Sequence, residues 1–364
     1  MSTAGAQPPA PRRTRHHAIF EILQREIAGD LYASGRLPGE VELTRRFRVS
    51  RPTVARALND LRLQGLIDRR PGVGTTLRCA GAASGRLFGL VGGGLGHTAI
   101  LGPLATGLER AATAHGHRLL LGDPDAAESD AAMVCREFRR GGVAGVFLAP
   151  LETLAGRELA NRRLAKALAD AGIPVVLLDR DILDFPGRSA LDLVAIDDVR
   201  AGYRLAQHLL ARGCRRLGFV ARPSPPSTTD LRIAGCRAAV AHVADAALTV
   251  HLGEPQDADF AAALVRRHDH DGLVCANDLT AAGLMRSLAA RRIAIPRRVR
   301  VAGFDDVEHA TPPPVPLTSM RLPCRELGVV ALHTMLERIA DPGLPARAIL
   351  LDARLVARRS TARR

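Results

Sequence analysis

The stretch FRVSRPTVARAL, Phe47–Leu58, reads as a turn followed by a helix whose two faces differ in kind. Ser50 is a favourable N-cap. Pro52 just inside the start costs nothing, because the first amides of a helix have no intrahelical partner. Val54, Leu58 and Leu61 recur at helical spacing with Ala57 beside them, and mark a core face. The opposite face carries Pro52, Ala55, Arg56 and Asn59, with Arg51 and Thr53 at its N-terminal edges. Small and guanidinium side chains at the start of a short helix suit a DNA major groove, where Arg makes two parallel hydrogen bonds to a guanine edge. A solvated surface helix presents the same residues, so the surroundings must decide.

Upstream, HHAIFEILQREIAG (16–29) places Ile19, Ile22, Leu23 and Ile27 on one stripe of a helix ended by Gly29. A turn, GDLYASGRLPG, leads to a second helix from Glu40 to Arg46, with Leu43 and Phe47 facing inward. Downstream, LIDRRPGVGTTLR reads as two short strands about a tight turn from Pro71 to Gly74. Three helices and a hairpin make a winged helix-turn-helix. Arg45 lies just ahead of the reading helix, and Arg69 and Gly72 lie on the wing, where a backbone can approach a phosphate closely. Residues 1–85 hold 14 Arg against 7 Asp or Glu, an excess of +7 out of the whole chain's +14, so a polyanionic partner is expected.

A chain of 364 residues has room for two or three domains, and 47% hydrophobic content excludes a disordered polymer. No apolar run approaches the roughly 20 residues that span a bilayer, so no membrane partner is expected. Residues 1–13 read as a disordered basic leader without a signal-peptide segment. The six cysteines are scattered with no CxxC pair, which predicts reduced thiols and a cytoplasmic protein.

LPGEVELTRRFRVSRPTVARALNDLRLQGLIDRRPGVGTT, Leu37–Thr76, resembles the DNA-binding domain of GntR-type transcription regulators. The resemblance implies base or phosphate contacts from Arg51 and Thr53 and a wing-tip contact at Gly72. Three positions depart from the family pattern: Val41 and Ala55 stand where arginine is common, and Gly39 replaces a capping serine.

After a small-residue linker (79–86), apolar runs alternate with amphipathic segments: RLFGLVG, HRLLLGD, GVAGVFLAP, IPVVLLDR, LDLVAIDD, RLGFVAR, LTVHLGE, GLVCAND and VRVAGFDD. Continuous apolar runs between helices indicate buried parallel strands. So many strands predict two lobes. The expected fold class is therefore an α/β main domain of two lobes, parallel sheets flanked by helices, over residues 87–360, preceded by the winged helix at 14–78. Several runs end in polar pairs, Asp179-Arg180, Asp197-Asp198, Asn277-Asp278 and Asp305-Asp306, at the carboxyl ends where such sheets bind ligands.

IPVVLLDR, AIDDVRAGYRLAQHLLARGCRRLGFV, VCANDLTAAGLMRSL, IPRRVRVAGFDD and LVARRST are similar to the LacI-type effector domain, a periplasmic-binding-protein fold. The resemblance implies that Asp179, Arg232, Asn277 and Asp305 line an effector cleft. Carboxylates and an amide suit sugar hydroxyls, and Arg232 would tolerate a sugar phosphate. A pentose is the first expectation from regulators that combine these two types. SPPSTTD (224–230) is richer in proline than the corresponding family loop.

A rival pattern is Gly94-Leu-Gly96-His-Thr-Ala99, which fits the GxGxxA of NAD-dependent dehydrogenases, with Asp123 at the end of the next strand. Gly102-Pro103 places the following helix late, against that reading. His115-Gly-His117 and His268-Asp-His270-Asp271 read as solvated turns rather than metal ligands. The expectation is a transcriptional repressor binding a pseudo-palindromic double-stranded operator as a homodimer, with a sugar or sugar phosphate as effector. No cofactor, metal or catalytic residue is expected.

Overall fold

The computed structural model describes residues 15–28, 32, 36–63, 66–70, 74–77, 85–92, 100–122, 131–151, 157–307 and 314–362. They form two compact units divided between Ser84 and Gly85.

The first unit contains α1 (Arg15–Ala28), α2 (Glu40–Phe47), α3 (Arg51–Leu63), β1 (Ile67–Arg70) and β2 (Gly74–Leu77). The core faces of the three helices meet over Ile19, Phe20, Leu23, Leu43, Val54, Leu58 and Leu61, with Ile67 closing the base. Ile22 and Ile27 are only half-buried, and Phe20, outside the expected stripe, is buried with Ile19 and Leu23. Arg48 turns the chain after α2 in the left-handed region, φ 50°, its amide donating to Thr44 O. The amides of Thr53 and Val54 donate to Ser50 O, while the Ser50 hydroxyl meets Thr53 Oγ1 at 2.9 Å. β1 and β2 pair antiparallel from Ile67↔Leu77 to Arg70↔Gly74. Leu37 N donates to Thr75 O and ties the approach to α2 onto the wing.

The second unit holds two six-stranded sheets. One lobe orders its strands β13-β7-β6-β5-β3-β4, all parallel: β3 (Leu87–Gly92), β4 (Arg118–Leu121), β5 (Val143–Ala149), β6 (Val175–Asp179), β7 (Asp192–Ile196) and β13 (Ala348–Leu351). The other orders β14-β12-β11-β10-β8-β9: β8 (Arg216–Ala221), β9 (Ala247–Leu252), β10 (Gly272–Cys275), β11 (Arg300–Asp305), β12 (Thr318–Arg321) and β14 (Arg354–Val356). Only β14 runs antiparallel to its neighbour there. The chain crosses between lobes at 196–198, 321–324 and 351–354.

Both faces of each sheet are covered, which is why the strands read as unbroken apolar runs. In the first lobe α4 (Leu101–Ala114) and α11 (Cys324–Ala340) cover one face, and α5 (Ala131–Arg140) and α6 (Arg157–Asp170) the other. In the second, α7 (Asp198–Ala211) and α8 (Ser227–Ala241) oppose α9 (Ala258–Arg266) and α10 (Asp278–Ala290). The nine apolar runs of the sequence each become a strand. β12, β13 and β14 escaped the pattern because they are short and carry polar or exposed residues. Thr318 and Ser319 on β12, for instance, are fully buried yet bonded to Thr361 and Asp278.

Two helix crossings are set by glycine. A Cβ on Gly235 of α8 would lie 1.9 Å from Val199 O, and one on Gly202 of α7 would lie 2.2 Å from Arg232 O. α4 and α11 meet in the same way through Gly107 and Gly328.

Candidate functional site

On the first unit, Arg45, Arg51 and Arg56 are exposed and make no ion pair among the described residues, and Thr53 is half-buried. Their charge is free to meet a partner. Arg46 is not: it bonds Glu26 and Tyr32 OH and lies over the Phe47 ring, 5.0 Å from its centroid. That bond from Arg46 also holds the Glu26 carboxyl below its ordinary range. Neighbouring arginines on α2 therefore divide between a structural role and an open one. Arg69 sits on β1 opposite Thr75, while its side chain and Gly72 lie outside the described residues.

In the second unit the strand ends converge. β6 ends in Asp179, β7 leads into Asp198, β10 into Asn277, and β11 ends in Asp305. Arg232, from α8, is buried among them. Its Nε donates to Asp198 Oδ1 at 2.7 Å and its Nη1 to Ala276 O at 2.6 Å. Asp305 Oδ1 stands 3.9 Å from Nη1, and the guanidinium lies 4.5 Å from the Phe304 ring centroid. The glycine crossing of α7 and α8 makes this pair possible, because Asp198 opens one helix and Arg232 projects from the other. Asp179 is held by Arg180 at 2.6 Å. Asp179 at φ 69° and Asp305 at φ 105° lie in the left-handed region, a strained backbone that recurs at ligand sites.

The electrostatics follow from burial. Desolvation pushes the Asp198 carboxyl up to about 6 against the pull of Arg232, with Asp179 adding to the rise. Burial raises Asp305 well above the carboxylate range, again opposed by Arg232. Two acceptors remain over: Asp179 Oδ1 and Asp198 Oδ2 are buried with no hydrogen-bond partner among the described residues. Buried acceptors of this kind are costly until a donor arrives. Beside them a hollow of about 140 Å³ is lined by Arg222, Ser224, Pro226, Thr229, Arg232 and Asn277.

The structure thus places Asp179, Arg232 and Asp305 in one charged cluster. Asn277 lines the adjoining hollow, where its Oδ1 also caps α10 by accepting from Thr280 N at 2.9 Å. Asp198 was not singled out in the sequence. It stood in a strand-end pair with Asp197, and only three-dimensional packing separates the two: Asp197 caps α7 through Arg200 N, whereas Asp198 is buried against Arg232.

The histidine turns correct the sequence reading. His270 is buried and shares a 2.8 Å Nε2–Nε2 contact with His251 of β9, and His117 accepts from Arg86 N and packs edge-on against Phe88. These two are packed histidines, whereas His268 and Asp269 are exposed, as a solvated turn would leave them. The segment Gly94–Ala99, with Asp123, lies outside the described residues. Among the described residues β3 ends at Gly92 and α4 begins at Leu101, after the last position of the GxGxxA pattern.

Residues 16–77 match the gntR family of bacterial regulatory proteins, and residues 206–361 match the periplasmic binding protein-like domain. The chain thus joins a gntR-family regulatory domain to a periplasmic binding protein-like domain. The chain is 25% identical over 354 residues to the arabinose metabolism transcriptional repressor of Geobacillus stearothermophilus, covering 94% of itself and 95% of that protein. It is 27% identical to the ribose operon repressor of Escherichia coli K12, over 71% of itself and 77% of that protein. Among solved structures, the transcription regulator GntR from Chromobacterium violaceum superposes with a TM-score of 0.60 at 29% identity, over 76% of this chain and 99% of that one. A ribose-bound LacI family regulator from Enterococcus faecium shares the fold with a TM-score of 0.61 at 23% identity, over 76% and 99%. The second family match begins inside α7, so it takes in Arg232, Asn277 and Asp305, while Asp179 and Asp198 precede it.

Proposed function

We propose that this chain is a cytoplasmic transcriptional repressor that binds a double-stranded operator through α3 and the wing and is released from it by a small sugar held between the lobes of the second unit. The observation that carries this reading is that one chain holds both parts: a winged helix with open arginines at 45, 51 and 56, and a buried cluster with unused carboxylate oxygens at Asp179 and Asp198. Arg51 and Thr53 at the start of α3, with Arg56 on its outer face, enter the major groove; Arg45 meets a flanking phosphate. Arg69 and Gly72 bring the wing to the backbone. As a homodimer the protein would place two such helices on successive turns of a pseudo-palindrome.

In the cleft, Asp179 and Asp198 accept from neighbouring hydroxyls, Asn277 donates through its amide, and Arg232 holds the carboxylates in place. The acceptors outnumber the free donors, so a neutral polyol fits better than a phosphorylated one, whose charge would face three carboxyl groups. Pentoses are the first candidates, in keeping with the arabinose and ribose repressors that resemble this chain. A sugar shifts the protein off DNA only if it binds the two lobe arrangements unequally.

The test is binding of genomic fragments at two salt concentrations, with and without a panel of pentoses, hexoses and their phosphates. A retained fragment released by one sugar supports the reading. Neutralising even six phosphates gives a log–log salt slope of about −5, so affinity that is flat with salt would sink it.

A further inference from the structure

At the edge of the second lobe opposite the cleft, the amino ends of β8, β10 and β11 frame an open hollow of about 620 Å³ lined by Arg212, Arg216, Arg298, Arg300, Asp271 and Gly213. Arg300 is the telling residue. It is 6% exposed, its Nε has no hydrogen-bond partner, and its Nη1 reaches only Cys214 Sγ at 3.8 Å. Burial pushes the Cys214 thiol up to about 11, so at neutral pH it gives that guanidinium no negative charge. No carboxylate pairs with Arg300 among the described residues. A buried, uncompensated guanidinium is costly in a folded protein unless an anion comes to it.

The surrounding groups sharpen the deficit. Asp269 is shared by Arg216 and Arg298, at 3.2 and 2.7 Å. Asp271 is held by the backbone amides of Arg215 and Arg216, at 3.0 Å. Four lining arginines thus face two carboxylates. The end of α7 also opens on the hollow, but its last carbonyls are already engaged: those of His208, Leu209 and Leu210 accept from the amides of Arg212, Cys214 and Gly213. What remains is donor-rich and positive.

We infer that this hollow is a second ligand site, distinct from the effector cleft, that takes a phosphate group, with Arg300 as its buried anchor and Arg212 and Arg216 at its rim. Guanidinium groups match phosphate oxygens in fork geometry, and the volume leaves room for a small phosphorylated metabolite rather than the bare ion alone. The two sites have opposite characters: carboxylates with unused oxygens at the carboxyl ends of the strands, and guanidiniums with unused hydrogens at the amino ends.

The test is calorimetric titration of the full chain at constant ionic strength with inorganic phosphate and, separately, ribose 5-phosphate. One site per chain is expected, weakened at least tenfold by Arg300→Met and several-fold by Arg212→Met, each variant checked for native circular dichroism. Ribose 5-phosphate binding far tighter than inorganic phosphate identifies a phosphorylated metabolite; equal affinities identify the free ion. Should Arg300→Met fail to fold, Arg212→Met decides together with phosphate-dependent protection of the amides of residues 213–216 from hydrogen exchange. Unchanged affinity in the folded variants overturns the site, as does equal heat from chloride. Displacement of phosphate by an unphosphorylated sugar would place it in the cleft instead and also overturn the assignment. Loss of the effector reading would leave the titration unaffected.

Discussion

At the scale of single residues, the charged side chains sort by what neutralises them. Arg46 is occupied within its own unit, whereas Arg51 is exposed at the start of α3, and that contrast is the ground for proposing the second as the DNA contact. Arg51→Ala should weaken operator binding by roughly 1–3 kcal/mol while leaving the melting temperature unchanged, as footprinting and calorimetry would show. Unchanged affinity would remove Arg51 from the reading helix. Asp198 is the residue the structure adds. Asp198→Asn leaves Arg232 with a neutral partner, so loss of sugar-induced release from DNA is expected in fragment-binding measurements with and without sugar. A folded variant still released at wild-type sugar concentrations would separate Asp198 from the effector.

Between elements, contact distance is set by glycine, and the buried Asp198–Arg232 pair lies at such a crossing. Gly235→Ala puts a methyl group into Val199 O, so α7 and α8 must separate. A destabilisation of about 1–3 kcal/mol in urea unfolding should accompany weaker sugar binding, because the move draws Asp198 from Arg232. Sugar affinity surviving that destabilisation would show that the crossing does not position the pair. Gly39 is the opposite case. It caps α2 at φ −62° with no side-chain bond, and nothing lies within 4 Å of a Cβ there. Gly39→Ser should therefore stabilise the first unit by a few tenths of a kcal/mol, read as a higher denaturation midpoint. A lower midpoint would mean that the added hydroxyl finds no amide of the first turn.

Over the whole molecule, buried carboxyls give stability a pH dependence of unusual sign. Burial lifts Asp278 to about 7 against the bonds it accepts from Ser319 and the Asp306 amide. A carboxyl whose folded pKa is raised stabilises most below its unfolded pKa, and that contribution is lost as pH rises from about 4 through about 7. Burial drives His251 the other way, down to about 4, so its contribution is lost as pH falls below about 6.5. The two oppose each other in the wild type, and a variant must separate them. Relative to wild type, Asp278→Asn should gain about 1–2 kcal/mol between pH 5.5 and 7.5 in urea titrations. A difference that does not change with pH would mean that Asp278 does not titrate in this window.

Much of this protein was legible in its residues. The apolar spacing of Val54, Leu58 and Leu61 foretold the core face of α3, and nine unbroken apolar runs foretold strands covered on both sides, because periodicity records local burial directly. As candidates, Asp179, Asn277 and Asp305 were marked by strand-end position, and Arg232, on α8, by resemblance alone. Local pattern was enough for the helices and hairpin of the first unit and for β3 to β11, since each needs only its own order of buried and exposed side chains, but not for β12, β13 and β14. Tertiary structure alone decided that Asp198, rather than Asp197, faces Arg232, that His270 packs on His251, and that Arg300 is buried without a counter-charge. Those facts depend on which surfaces two distant segments bring together, and burial of a charge is a property of the assembled neighbourhood that no single segment encodes.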